Sequence, residues 1–526
     1  MSGLTTRRQI LGYAVASATA AALPTWARAA TPVDGDIDAI VAAFMRRYET
    51  PGIAVAVVRT GQPPLLRAYG IRTLGRPGAV DVHTRFAIAS HTKAFTAAAL
   101  ALLADEKKLD WEDPVVRHLP EFRMYDAAVT PMMTVRDLLV HRSGLPLGAG
   151  DLMFFPQSSH VAPDVLKALP FLKPARGFRE GYDYDNILYL VAGLVIERVS
   201  GMPWDRFIAT RIFAPLAMAD AAPSRRDNDS NVAGRHARLG PPARGMGKLE
   251  TVQPDEGPMV DAAGGINASV SDMAKWLQVL LSGGLLPDGK RLWSAEQARQ
   301  MWTPATITAS SAGAKPDNPA RPILQTYALG WFIQDYRGLQ MVQHSGALSG
   351  QITYTGLLPS RGIGVTVLSN VEEGVAASIR NAILDRLIDA PPFDWVGAYG
   401  TRLATTQAEA LASIAGGIER APVGGPSLPI ARYVGRYRDP WYGDVVVTEK
   451  RGTLSIDFVP TPVFKSKLEV WGQDAFRTRF PKGAGEDAIV SFAIRDGKVT
   501  GVTMKALSPL ADFSYDFQHL AFVPVT

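Results

Sequence analysis

Strand-like and helix-like segments alternate along this 526-residue chain in an order that permits few folds. Residues 53–58 and 65–69, on either side of Thr60-Gly61, have the apolar, β-branched character of two paired strands. Strand character returns in series at 330–333, 339–344, 354–358 and 364–370. Between these two groups the chain reads as helical. Residues 94–104 are almost entirely apolar and are expected to be buried on all sides. Further helices are expected over 134–140, 186–199 and 272–281, the last with Ser271 as its N-cap. Early and late strands bracketing a helical middle predict an α+β fold: an antiparallel sheet flanked by helices, closed by both ends of the unit, with an all-helical subdomain inserted.

The composition shifts at Pro391-Pro392. An Ala-rich helix is expected over 393–420, followed by a Pro/Gly linker over 422–429. From Ile430 onward every segment reads as strand. Residues 489–494 and 498–504 flank Asp496-Gly497, a type I′ hairpin signal, and 513–525 is expected to add two short strands. About 97 residues are long enough to hold a small core of their own. The expected layout is therefore a leader (1–29), a main unit (30–392), a helical linker (393–429) and a separate C-terminal β domain (430–526).

The leader carries Arg7-Arg8 ahead of a weakly apolar run over 10–23, then Ala27-Arg28-Ala29. This is a twin-arginine export pattern with a cleavage site after Ala29, and it predicts a periplasmic or secreted product. No later run of about 18 uncharged apolar residues occurs, so no stable membrane insertion is expected after cleavage. Lysine and arginine total 55 against 50 acids, and no basic run is present, which argues against nucleic acid as a partner. Cysteine is absent, so thiol nucleophiles and Cys-ligated metals are excluded. The eight histidines form no H-E-x-x-H pattern, and no metal or other cofactor is expected. The oligomeric state is left open.

Three short motifs remain as candidates for chemistry. Ser90-His91-Thr92-Lys93 sits where a β-rich run meets the buried helix. A Ser there has helix N-terminal donors nearby, and Lys93 lies three residues on, on the same face. Burial and the positive helix end both favour the neutral amine that a base requires. Tyr184-Asp185-Asn186 offers a hydroxyl for proton relay and an amide to orient a substrate carbonyl. His344-Ser345-Gly346 ends a strand. Its Gly would admit a substrate backbone, and the Ala347 N–H is a candidate oxyanion donor. Taken singly, each motif also fits a structural cap, a loop residue or a core histidine.

The order and spacing of the three motifs resemble the serine β-lactamase and penicillin-binding-protein superfamily. So do the segments FAIASHTK (86–93), TVRDLLVHRSGLP (134–146), IFAPLAM (212–218) and AGGI (263–266). The resemblance covers about residues 35–390, and the C-terminal part is similar to the lipocalin-like barrel often appended to such hydrolases. It implies a covalent serine mechanism in which Ser90 attacks a carbonyl while Lys93 and Tyr184 handle the proton. The N–H groups of Ser90 and Ala347 would hold the oxyanion. Asn186, His344, Ser345 and Gly346 would meet the substrate. His344 stands where β-lactamases and penicillin-binding proteins usually carry Lys, so weak or absent β-lactam hydrolysis is expected. The function expected is cleavage of an amide in a short peptide, including D-residue-containing peptides or a linearised cyclic peptide such as linear microcystin. Carboxylester hydrolysis is the chemical alternative. A non-catalytic peptidoglycan- or ligand-binding protein is the alternative of another class.

Overall fold

The structure, a computed structural model, describes residues 33–225, 230–415 and 423–525. The twin-arginine leader and its cleavage site lie outside them. The main sheet has eight strands: β1 (Gly52–Arg59), β2 (Leu65–Gly70), β3 (Thr306–Ser310), β4 (Leu324–Tyr327), β5 (Phe332–Tyr336), β6 (Leu339–Leu348), β7 (Gln351–Leu358) and β8 (Ile363–Ser369). They run antiparallel in the order β2-β1-β8-β7-β6-β5-β4-β3. The early strands thus close onto the last one, with Val55 opposite Val367.

Strand β1 explains why helices cover both faces. Its apolar residues do not alternate with polar ones, so neither face can be left to water. Ile53, Val55 and Val57 pack with α1 (Val33–Tyr48) and with Ile379 and Ile383 of α5 (Val375–Leu387). Ala54, Ala56 and Val58 join the opposite core, which contains α2 (Thr92–Asp105), α3 (Ile187–Ser200) and α4 (Val270–Leu281). Every residue of α2 from Thr92 to Ala104 is buried, as its near-continuous apolar run requires.

A helix α6 (Trp395–Ile414) leads toward the C-terminal unit, a closed antiparallel barrel from Gly435–Asp439 to Ala521–Pro524. Asp496 and Gly497 have φ of 51° and 69°, the pair of left-handed residues that a type I′ turn needs. The barrel's apolar interior is continuous with the core of the helical region.

Four local expectations are corrected. Residues 134–140 form only a short 3-10 turn, Asp137–Leu139. The Asp137 carboxylate accepts from both the N–H and the hydroxyl of Thr134 and is clamped by Arg142 and Arg179. Helix α4 is capped by Ser269, whose hydroxyl accepts from the Asp272 N–H, so the cap lies two residues before Ser271. The strand expected at 330–333 starts at Phe332. Residues 513–520 are not a strand but a loop with a 3-10 turn at Phe517–His519. Asp512 and Asp516 accept the Ser514 N–H and the His519 ring there, and such local bonds compete with a ladder.

Candidate active site

Ser90 is presented by a sharp turn. The two-residue strand Phe86–Ala87 pairs with Asn267–Ala268, and the chain then passes through Ala89 at φ 48°. A left-handed alanine is an uncommon conformation, of the kind that clusters at functional turns. Ser90 follows in the 3-10 turn Ala89–His91, directly ahead of α2, and its side chain is partly exposed.

Lys93 lies one turn into the molecule and is fully buried. Its Nζ donates to Ser90 Oγ at 3.1 Å, Asn186 Oδ1 at 2.7 Å and the Ala263 carbonyl at 2.9 Å. Burial pulls its pKa down to about 7, against the opposing pull of Asp151 and Asp185. When the amine is neutral, it has two N–H groups and one lone pair. Asn186 and Ala263 take the two N–H groups, which leaves the lone pair for the Ser90 hydroxyl.

Tyr184 arrives from the loop before α3, and its hydroxyl donates to Ser90 Oγ at 2.8 Å. Burial pushes its pKa well up, so the phenol stays protonated at neutral pH. The ring packs 4.3 Å from that of His141 and 6.2 Å from that of Phe513. Asn186 is also buried, with its side chain turned inward: Oδ1 serves Lys93, and Nδ2 donates to Asp151 at 2.9 Å. Its side-chain partners within the protein are therefore Lys93 and Asp151, and it also lines the cavity described below.

The third motif lies on the edge of β6. Strand β5 pairs with β6 only as far as Gln343, so the edge beyond is open toward the Ser90 turn. Ala347 faces Ile352 of β7, and Ile352 donates its N–H away from it, to Val371. In such a non-hydrogen-bonded pair both backbone groups of Ala347 point to the open edge. His344 is buried, bonded to the Tyr327 hydroxyl at 2.9 Å and the Ser345 carbonyl at 2.6 Å. Burial holds its pKa well below the usual value, so it is a neutral ring.

At Gly346 a Cβ would sit 2.0 Å from the Ile88 carbonyl, so the missing side chain makes room for the chain leading to Ser90.

Ser90, Tyr184, Asn186, His344, Ser345 and Ala347 line one cavity of about 580 Å³. Lys93 lies beneath its floor. The barrel supplies part of the wall, through Glu486, Phe513, Ser514 and Tyr515. Arg244 and Glu372, bonded to each other in a two-pronged pair at 2.5 and 2.7 Å, also line it. None of these was identified from sequence, and neither was Asp151. The loop residues carry no motif spacing, and only the fold brings them to Ser90. Asp151 follows Gly148-Ala149-Gly150 close to the SGLP stretch, and that is the nearest thing to a signal.

The chain matches the beta-lactamase family over residues 37–390. Residues 419–524 match a domain of unknown function, DUF3471. It is similar to the unguisins hydrolase ungD' of Aspergillus campestris, with 28% identity over 81% of this chain and 80% of that one. The unguisins hydrolase ungD of Aspergillus violaceofuscus is 29% identical over 78% of this chain and 76% of its own length. Protein flp of Staphylococcus aureus is 25% identical over 64% of this chain and 62% of its own. Among solved structures, an octameric penicillin-binding protein homologue from Pyrococcus abyssi superposes with a TM-score of 0.57, at 22% identity over 90% of this chain and 98% of that one. The D-amino acid amidase of Ochrobactrum anthropi SV3 has a TM-score of 0.56, at 21% identity over 68% of this chain and 99% of that one. Both share the fold.

Proposed function

From the premise that the chain belongs to the beta-lactamase family of serine hydrolases, we propose that it cleaves an amide bond of a short peptide through an acyl-enzyme on Ser90. Neutral Lys93 takes the proton of the Ser90 hydroxyl as the oxygen attacks the carbonyl carbon. The Ser90 and Ala347 N–H groups receive the developing oxyanion, where one donor is typically worth about 3 kcal/mol. Tyr184 donates its proton to the leaving nitrogen, and Lys93 returns a proton to the tyrosine. Water then attacks the acyl group, with the same groups acting in reverse, and Ser90 is restored.

One observation carries the choice of an amide. A protonated phenol lies 2.8 Å from the nucleophile, in addition to the lysine. An amine cannot leave as an anion and needs such a donor, whereas an activated ester does not. A cavity of about 580 Å³ suits a few residues of peptide. The relatives named as unguisins hydrolases support a hydrolytic role. D-residue-containing and linearised cyclic peptides, linear microcystin among them, are the substrates to try first. Neutral His344 supplies no cation for a β-lactam carboxylate, which favours peptides over β-lactams. The twin-arginine leader supports export, and sequencing the N-terminus of the exported protein should begin at Ala30.

A fluorophosphonate probe with peptide mapping tests the mechanism. Ser90 should be the labelled residue, and Ser90→Ala should abolish both labelling and turnover. A panel of peptide amides, p-nitrophenyl esters and nitrocefin then separates the substrates. Turnover confined to the esters would make the protein a carboxylesterase. An unlabelled Ser90 would make it a binding protein.

A further inference from the structure

The barrel does more than wall the cavity. Its loop ahead of the last strand is bonded to the segment that carries Asp151. Asp516 accepts the N–H groups of Gly150 at 2.8 Å and Leu152 at 3.1 Å, the two neighbours of Asp151. Gly148, at φ 70°, lets the Phe513 backbone approach so closely that a Cβ would lie 2.7 Å from its carbonyl oxygen. Between these two contacts, the Ser514 hydroxyl donates to Asp151 Oδ2 at 2.8 Å.

Asp151 is fully buried, and the same oxygen accepts the Asn186 Nδ2. Its other oxygen has no hydrogen-bond partner among the described residues. The two donors on Oδ2 are thus what orients this carboxyl group. The carboxyl in turn decides which way the Asn186 amide points. With Nδ2 committed to Asp151, Oδ1 must face Lys93, where it takes an N–H of the amine. Were the amide to flip, its N–H would face the lysine and occupy the lone pair that Ser90 needs.

We propose that Ser514, on the barrel, is a positioning residue for the Lys93 amine, acting through Asp151 and the Asn186 amide. The barrel is then part of the catalytic apparatus without touching the reacting atoms. This inference rests on the reading of Lys93 as the base for Ser90.

The test is the inactivation of the full-length protein by a fluorophosphonate, with kinact and KI measured separately. Ser514→Ala should lower kinact roughly tenfold, the scale of one lost buried hydrogen bond, and leave KI within about twofold. Ser514→Thr restores the hydroxyl and should recover most of the rate. If the Ala variant does not fold, Ser514→Cys, similar in size and a weak donor, makes the same comparison. Wild-type kinact in the Ala variant overturns the proposal. So does a Thr variant as slow as Ala, because loop packing rather than the hydroxyl would then be at work. Ser90→Ala is run beside them: if it still reacts, the reading of the active site has failed, whereas an inert Ser90→Ala with an unaffected Ser514→Ala removes only the positioning role.

Discussion

Lys93 is the residue on which the proposed chemistry turns. In water its ammonium would hold its proton until well above neutral pH, and an ammonium cannot accept one from serine. Burial against the underside of the Ser90 turn brings its pKa down to about 7. Fluorophosphonate labelling of Ser90 should therefore rise with pH through about 7 and level off above about 8, as the neutral fraction saturates. Lys93→Arg replaces the amine with a bulkier guanidinium that stays protonated. We expect a loss of roughly a thousandfold or more and no acid limb near 7, in keeping with removal of a general base. A variant labelled at the wild-type rate would exclude Lys93 as the base. The same shift bears on stability. The folded chain releases this proton near 7 and the unfolded chain near 10.5, so the lysine's contribution to stability rises with pH between those values.

At the scale of elements, the open edge of β6 and the Ser90 turn must lie against each other, and Gly346 makes this possible. Gly346→Ala would place a methyl group 2.0 Å from the Ile88 carbonyl and force strand and turn apart. We expect a loss of about 1–3 kcal/mol in stability, the usual scale of overpacking. A fall in Ser90 labelling larger than the change in unfolding midpoint explains would show that the proposed oxyanion site had opened. Wild-type stability and labelling would show that the contact is slack. Strand β1 was legible in the sequence because residues 53–58 are all apolar, and α2 because no polar face interrupts it. The 134–140 segment misled because its apolar residues have helical spacing while Asp137 binds Thr134 and two arginines instead of a continuing turn. Ser90, Lys93 and Tyr184 could be picked out because their chemistry is tied to short spacings. Asp151 and Ser514 lie 363 positions apart along the chain, and no local pattern announces a contact of that kind.

For the whole molecule, the question is whether barrel and hydrolase unit are two bodies or one. Separate domains usually meet through small, polar contacts and move independently. Here the apolar interiors are continuous, and the joint is crossed by buried bonds from Asp516 and Ser514, by the His160 ring on the Tyr442 carbonyl at 2.9 Å, and by Ser159 N–H on the Pro460 carbonyl at 2.7 Å. Calorimetry of the full chain should then give one unfolding transition, with calorimetric and van't Hoff enthalpies in agreement. Gly148→Val would drive a branched side chain into the Phe513 backbone at a left-handed position, and so act on the joint itself. It should split the transition in two or lower its midpoint by a few degrees, at about 1 °C per kcal/mol for a chain of this size. It should also reduce Ser90 labelling, because the loop it displaces carries Ser514. Two transitions in the wild type would mean that the barrel folds and melts on its own. Unchanged labelling in a variant whose transition has split would mean that the barrel's contact with the cavity has no bearing on catalysis.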